Sequence, residues 1–236
     1  MSRRSILLTL GFLGLLLGSG LIVLAVLVHH EPASYARLTV PAGPERQCLS
    51  DDFYRAFCRM YEDVNGSDAW NAPFTEDQVN SYFEEGFVNS GLNKRVLPER
   101  IGEPRVHFEN DRLQIAFRYG NGLWGTVVSI DFRVWVAKSP NVVCLELLGS
   151  HAGVVPVKVH SLLKYLADEL MRQSNLQVSW YRHEGRPVAL LSFQADQPRA
   201  TLQLTEIKVE AGKITIRGKG SEALAARAAL QAPGTD

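Results

Sequence analysis

The chain has 236 residues, with 25 Lys and Arg against 25 Asp and Glu and a hydrophobic content of 46%. The zero net charge excludes a nucleic-acid-binding protein of the usual basic kind, and the length suffices for one sizeable core or two small ones. The first thirty residues contain two cations and no acid, so the remaining body is slightly acidic.

An uncharged apolar segment, residues 5–28, follows Arg3 and Arg4. A helix of this length, at about 1.5 Å per residue, reaches roughly 36 Å and can cross a hydrocarbon core of about 30 Å. The sequence therefore predicts a single transmembrane helix over 5–28. Because the cations precede it, residues 1–4 are predicted to be cytoplasmic and the body extracytoplasmic. A cleavable signal peptide, cut near residues 18–20, is the alternative.

Gly14 and Gly18 in this segment have the G-x-x-x-G spacing that lets two membrane helices approach closely. A homodimer through this pair is a further prediction, although glycines are common in membrane helices anyway. The predicted location is the cell membrane, with one span.

Residues 31–47 contain three prolines, which predicts an extended juxtamembrane linker. An extracytoplasmic domain over 48–220 and a loose tail over 221–236 are predicted to follow. The first helix of the domain is expected to begin with Ser50 as its N-cap and to end near Asp63. Its apolar stripe comprises Phe53, Ala56, Phe57 and Met60.

Three cysteines, Cys48, Cys58 and Cys144, are too few for a disulfide scaffold and lack metal-site spacing. If a helix begins at Ser50, Cys48 precedes it and cannot easily reach Cys58. Two alternatives remain open: a bridge from Cys144 to one of the others, or three small buried hydrophobes.

The clearest local signal is the run Phe74-Thr75-Glu76-Asp77-Gln78-Val79. Thr75 and Gln78 have the spacing of a capping box, and Phe74 and Val79 that of a hydrophobic staple. This predicts a helix that begins here, ends near Gly91, and docks through an apolar face made of Val79, Tyr82, Phe83 and Phe87.

The period of apolar residues changes to two after Pro104. Alternation of this kind indicates antiparallel strands with one wet face. Strands are predicted at 113–119, 128–136 and 142–148, then at 176–180, 188–193, 202–204 and 214–216. A turn is expected at Asn121-Gly122, a connection over 149–157 and a helix over 158–173. The predicted class is α+β: an N-terminal transmembrane helix, then a curved, mostly antiparallel sheet packed on two or three amphipathic helices.

No motif in the body indicates catalysis, a metal or a cofactor, and none is predicted. His151 occupies the position in Gly149-Ser150-His151-Ala152-Gly153 where a nucleophile motif needs Ser. The histidines at 107, 151, 160 and 183 lack metal-ligand spacing. Asp131 and Arg133 on one strand are a candidate functional pair, with a solvated charge pair as the ordinary alternative.

The sequence combines three features: the N-terminal anchor, the helix start from Phe74 to Asn80, and Val155-Pro156-Val157 leading into Ser161-Leu162-Leu163-Lys164-Tyr165-Leu166 before a closing set of strands. Together these features resemble the YpmS-like family of bacterial single-pass membrane proteins of unknown function. The resemblance covers roughly 74–218. More remotely, the order of elements is similar to that of tubular lipid-binding proteins, which implies acyl-chain or lipid binding.

The sequence thus predicts a membrane-anchored, non-catalytic domain that binds an apolar or lipid ligand. The candidate lining residues are Phe117, Phe132, Leu145, Leu163 and Leu166, for which ordinary core packing is the alternative. The alternative function is an envelope module that binds a partner protein. A large exposed apolar patch would favour the partner, and an enclosed apolar groove the lipid.

Overall fold

The computed structural model describes residues 18–120, 125–173, 176–194 and 202–221. These ranges form two antiparallel sheets and several helices, and neither sheet closes on itself there. The predicted α+β class with a large, mostly antiparallel sheet is confirmed.

The described part of the first helix, α1, covers residues 18–29. Its large apolar side chains between Leu21 and Leu27 are exposed. Among the helices in the described ranges, none combines the length and the apolar character needed to cross a membrane. Residues 5–17 of the predicted span, including Gly14, lie outside the described residues. The span and the dimer contact therefore stay predictions.

Residues 31–47 differ from the extended linker that their prolines predicted. They contain α2 (Ala33–Arg37) and the start of α3 (Pro44–Gly66), and Tyr35 and Leu38 are buried. Helix α3 begins before the predicted Ser50 because Pro44 occupies its first turn, where a missing N–H costs nothing. Ser50 is therefore not an N-cap but a buried residue inside α3.

A small sheet packs against α3. It has the strand order β1 (Ala69–Thr75), β10 (Lys213–Lys219), β9 (Gln203–Glu210). The predicted apolar stripe of α3 packs on this sheet, except that Phe57 is exposed.

The predicted capping box is confirmed at the start of α4 (Glu76–Glu84), where the Thr75 hydroxyl and the Gln78 side chain each accept the other's backbone N–H. The predicted helix does not run on to Gly91, because it breaks at Glu85. Two short helices follow, α5 (Gly86–Asn89) and α6 (Leu92–Val96). The break lets the Gly86 N–H donate to the Ser50 hydroxyl at 3.3 Å.

The large sheet has the order β2-β3-β4-β5-β8-β7, and the short strand β6 pairs with the end of β5. Its strands are β2 (Ile101–Glu109), β3 (Arg112–Tyr119), β4 (Thr126–Val136), β5 (Val142–Ala152), β6 (Val155–Pro156), β7 (Gln177–His183) and β8 (Arg186–Ser192). The residues predicted as a connection, 149–157, instead extend β5 and form β6. The predicted turn at Asn121-Gly122 lies outside the described residues.

Candidate functional site: an apolar groove under helix α7

One face of the large sheet is mostly apolar from β3 to β7. Antiparallel register places cross-strand partners on the same face, as for Phe117 with Val128, Val134 with Leu145, and Leu145 with Ala189. Helix α7 (His160–Gln173) lies on this face, where its Leu163 and the preceding residue, Val159, are buried.

An apolar groove of about 180 Å³ separates part of α7 from the sheet. All five residues predicted to line a ligand site line this groove. Among the described residues, its lining comprises Ile115, Phe117, Ile130, Phe132, Leu145, Leu163, Leu166, Ala167, Val178, Trp180, Ala189 and Leu191. The two predicted roles coincide in Phe117, Phe132 and Leu163, which line the groove and belong to the buried core. Leu145 and Leu166 are only partly buried.

Among the residues that the structure describes, no charged side chain lines the groove. The aromatic contact nearest to its wall is between Trp180 and His160, whose ring centroids are 5.8 Å apart in an edge-on arrangement. A polar group placed here without a hydrogen-bond partner would lose its hydration with little compensation. The groove therefore suits an apolar ligand.

Sequence reasoning missed the wall formed by β7 and β8. Strand pairing brings Val178 opposite Leu191, and Trp180 opposite Ala189. The signal was present in the alternation of Val178 and Trp180 with polar neighbours. This signal did not locate the groove wall, because β8 pairs with β5 and the two strands are separated in the sequence by α7 and β7.

Asp131 and Arg133 lie on the opposite face of the sheet. They do not pair with each other, because each has another partner. The Asp131 carboxylate accepts a hydrogen bond from the Gln114 amide at 2.8 Å. Arg133 and Arg186 instead flank buried Glu146, at 3.0 and 3.3 Å. These are cross-strand contacts that satisfy a buried carboxylate.

Two other polar residues singled out in the sequence, Ser150 and His107, also have structural partners. The Ser150 hydroxyl donates to the Val157 carbonyl at 2.6 Å, which fixes the chain between β6 and α7. His107 lies between Glu76 and Glu109 at 2.7 and 3.4 Å. Within the described ranges, no three His, Cys, Asp or Glu side chains are placed to hold a metal ion.

All three cysteines are free, so neither bridge to Cys144 forms. Cys48 lies inside α3 with Cys58, ten residues along the same helix, which keeps the two apart by roughly 15 Å. Cys144 is buried, and burial raises the pKa of its thiol. The expectation that all three are buried is wrong for Cys48, which is exposed on α3, and Cys58 is only partly buried.

Comparison of the chain with protein-family models, with curated protein sequences and with solved structures finds no match in any of the three.

Proposed function

We propose that this protein binds a single apolar chain, such as part of a lipid acyl chain, in the groove between α7 and the large sheet, and that it does so while anchored in a membrane. The observation that carries the proposal is the wholly apolar lining of the groove, which includes all five residues predicted from the sequence.

The size of the groove limits the ligand. An apolar cavity of roughly 150 Å³ can hold a benzene molecule, whereas sites for whole drug-sized ligands take about 300 Å³ or more. At about 180 Å³ the groove fits a short stretch of one chain and not a complete lipid. If the sheet curves around α7, as the sequence predicts, the groove would lengthen along the helix.

Membrane anchoring draws support from α1. Its large side chains from Leu21 to Leu27 are apolar and exposed, and a helix that is apolar all round needs an apolar environment. The predicted span over 5–28 would supply that environment.

The test fills the groove. In the fragment that begins at Glu31, Ala167→Leu adds about three carbon atoms to the groove wall, at about 0.8 kcal/mol for each buried methylene. We expect the free energy of unfolding to rise by roughly 1–2 kcal/mol and bound lipid to disappear. Lipid is measured by organic extraction and mass spectrometry of the purified protein.

Ala116→Leu is the matched control, because Ala116 is buried on the opposite face of β3 with Tyr35 and Val127. Overpacking there should cost about 1–3 kcal/mol and leave bound lipid unchanged. Lipid-free wild-type protein that takes up no added fatty acid would contradict the proposal.

The alternative, a module that binds a partner protein, has one observation in its favour. Tyr54, Phe57 and Tyr61 are exposed on α3 at helical spacing, an aromatic stripe of the kind that is common in interfaces. Lipid-free protein that chemical cross-linking joins to an envelope protein through this stripe would favour the alternative.

A further inference from the structure

The last turn of α1 is bonded to the turn Gly153–Val154 and to the start of β4. The Val154 N–H donates to the Leu27 carbonyl at 3.2 Å, and the Thr126 hydroxyl donates to the Val28 carbonyl. The His29 Nδ1 lies 3.1 Å from the Gly125 carbonyl oxygen. The last carbonyls of a helix have no partners within the helix, so the body supplies partners that a free helix end would find only in water.

Gly153 makes this contact sterically feasible. Its φ is +58°, and a Cβ at this position would collide with the backbone carbonyls of Leu27 and Val28. Those atoms are backbone and cannot rotate away. Any other residue at 153 would therefore push the end of α1 off the sheet.

Side-chain contacts also hold the residues that follow α1 against the sheet. Glu31 pairs with Arg118 at 2.9 Å, and the Tyr35 hydroxyl donates to the Glu103 carbonyl at 2.7 Å. The body is thus fixed to the end of α1 and does not swing on a flexible linker.

Both contacts lie at one end of the large sheet. Val128, near the start of β4, pairs with Ala152, at the end of β5, while the turn at Ser139 joins these strands at their other end. The eleven residues of β4 extend about 36 Å at 3.3 Å each.

We infer that the domain is seated directly on the bilayer surface through the turn Gly153–Val154 and the start of β4, with the turn at Ser139 directed away from the membrane. The inference rests on the proposed anchor, whose predicted span ends at Val28, the residue whose carbonyl the body holds. The partner of this end is the interfacial layer of the lipids. Val154, 46% exposed, presents an apolar side chain to that layer.

Depth-dependent quenching tests the inference on the full chain in phosphatidylcholine vesicles. Cys48 and Cys58 are replaced by Ser, buried Cys144 is kept, and a bimane label is attached to Val154→Cys or Ser139→Cys. Lipids brominated near the headgroup end of the acyl chain should quench the label at 154 several-fold more than the label at 139.

Extraction at alkaline pH separates the two proposals. If the protein resists extraction but shows equal quenching at both positions, the anchor is kept and the inferred contact of the domain with the bilayer surface is overturned. If the protein is extracted, both the proposed anchor and the inferred contact with the bilayer surface are overturned.

Glycine variants provide a second readout. Gly153→Ala should speed amide hydrogen exchange over residues 27–36 in vesicles. Gly185→Ala is the matched control, because Gly185 also has a positive φ, +80°, but no atom within 4 Å of an added Cβ, so it should exchange like wild type. If Gly153→Ala fails to fold, Thr126→Val removes one bond to α1 and should raise exchange less. If Gly153→Ala and Thr126→Val both show the amide exchange of the wild type, the inference is overturned.

Discussion

Tyr35 shows how a single residue ties the N-terminal segment to the sheet. It is 1% exposed, and the Arg105 guanidinium lies 4.1 Å from its ring centroid. Arg105 also donates to the Tyr35 carbonyl at 3.0 Å. Burial raises the pKa of the Tyr35 phenol to about 12, although the nearby charge of Arg105 opposes the rise.

This pKa predicts a loss of stability at high pH. The unfolded chain releases the Tyr35 proton near pH 10 and the folded chain near pH 12, so the contribution is constant below pH 10 and is lost as the pH rises through that window. The loss is about 2 kcal/mol. Denaturant unfolding from pH 9 to 12 should show wild type falling relative to Tyr35→Phe.

Other groups titrate in the same range, and the difference between the two proteins cancels them. Tyr54→Phe, at an exposed position on α3, should follow the wild-type curve. Parallel curves for wild type and Tyr35→Phe would refute the assignment.

At the scale of elements, α4 protects the edge of the large sheet. The Asn80 amide donates to the Val106 carbonyl at 2.9 Å, and its oxygen accepts the Val106 N–H at 2.8 Å. Glu76 accepts the Phe108 N–H at 2.7 Å. The helix thus supplies the partners that another strand would give, and an unpaired edge strand is a site of aggregation.

Asn80→Leu should destabilise the protein strongly, because it leaves both polar groups of Val106 buried without partners. Each group costs about 1–3 kcal/mol, so the free energy of unfolding should fall by roughly 3 kcal/mol. Asn71→Ala, at an exposed position on β1, is the control and should change it by about 0.5 kcal/mol or less. Thermal unfolding with light scattering would measure both stability and aggregation, and an Asn80→Leu protein as stable as the control would contradict this role.

Local signals predicted the elements that local interactions determine. The capping box located the start of α4, and two-residue alternation located β3, β4 and most of β5. Trp70, Ala72 and Phe74 alternate in the same way in β1, but Pro73 and the adjacent capping box obscured that strand.

The boundaries that sequence reasoning missed depend on distant contacts. The break after α4 depends on Gly86 meeting Ser50 of α3, and the groove wall on β8 pairing with β5. Neither contact leaves a periodic signal. The groove itself was partly predictable, since the five predicted lining residues are large apolar side chains of β3, β4, β5 and α7.

At the scale of the whole molecule, residues 31–46 are held against the domain by buried and polar contacts. Arg46 pairs with Glu84 and Glu85 at 2.8 and 2.5 Å, and Arg105 also reaches Glu84 at 3.3 Å. Polar contacts therefore join α2, α3, α4 and β2 around the buried ring of Tyr35. These contacts fix the position of α1 relative to the sheet that carries the groove.

Truncation tests whether residues 31–42 stabilise the body or act only as a flexible linker. A fragment that begins at Glu31 should keep the stability of the body, whereas one that begins at Gly43 loses the buried side chains of Tyr35 and Leu38. Burying a large apolar side chain contributes about 1.5–3 kcal/mol, and ordering the segment offsets part of it. We expect the shorter fragment to lose roughly 3 kcal/mol in urea unfolding and to expose Arg105, whose guanidinium would lose the Tyr35 ring and carbonyl. Equal midpoints for the two fragments would mean that residues 31–42 act only as a tether, and the rigid path from α1 to the groove would then be excluded.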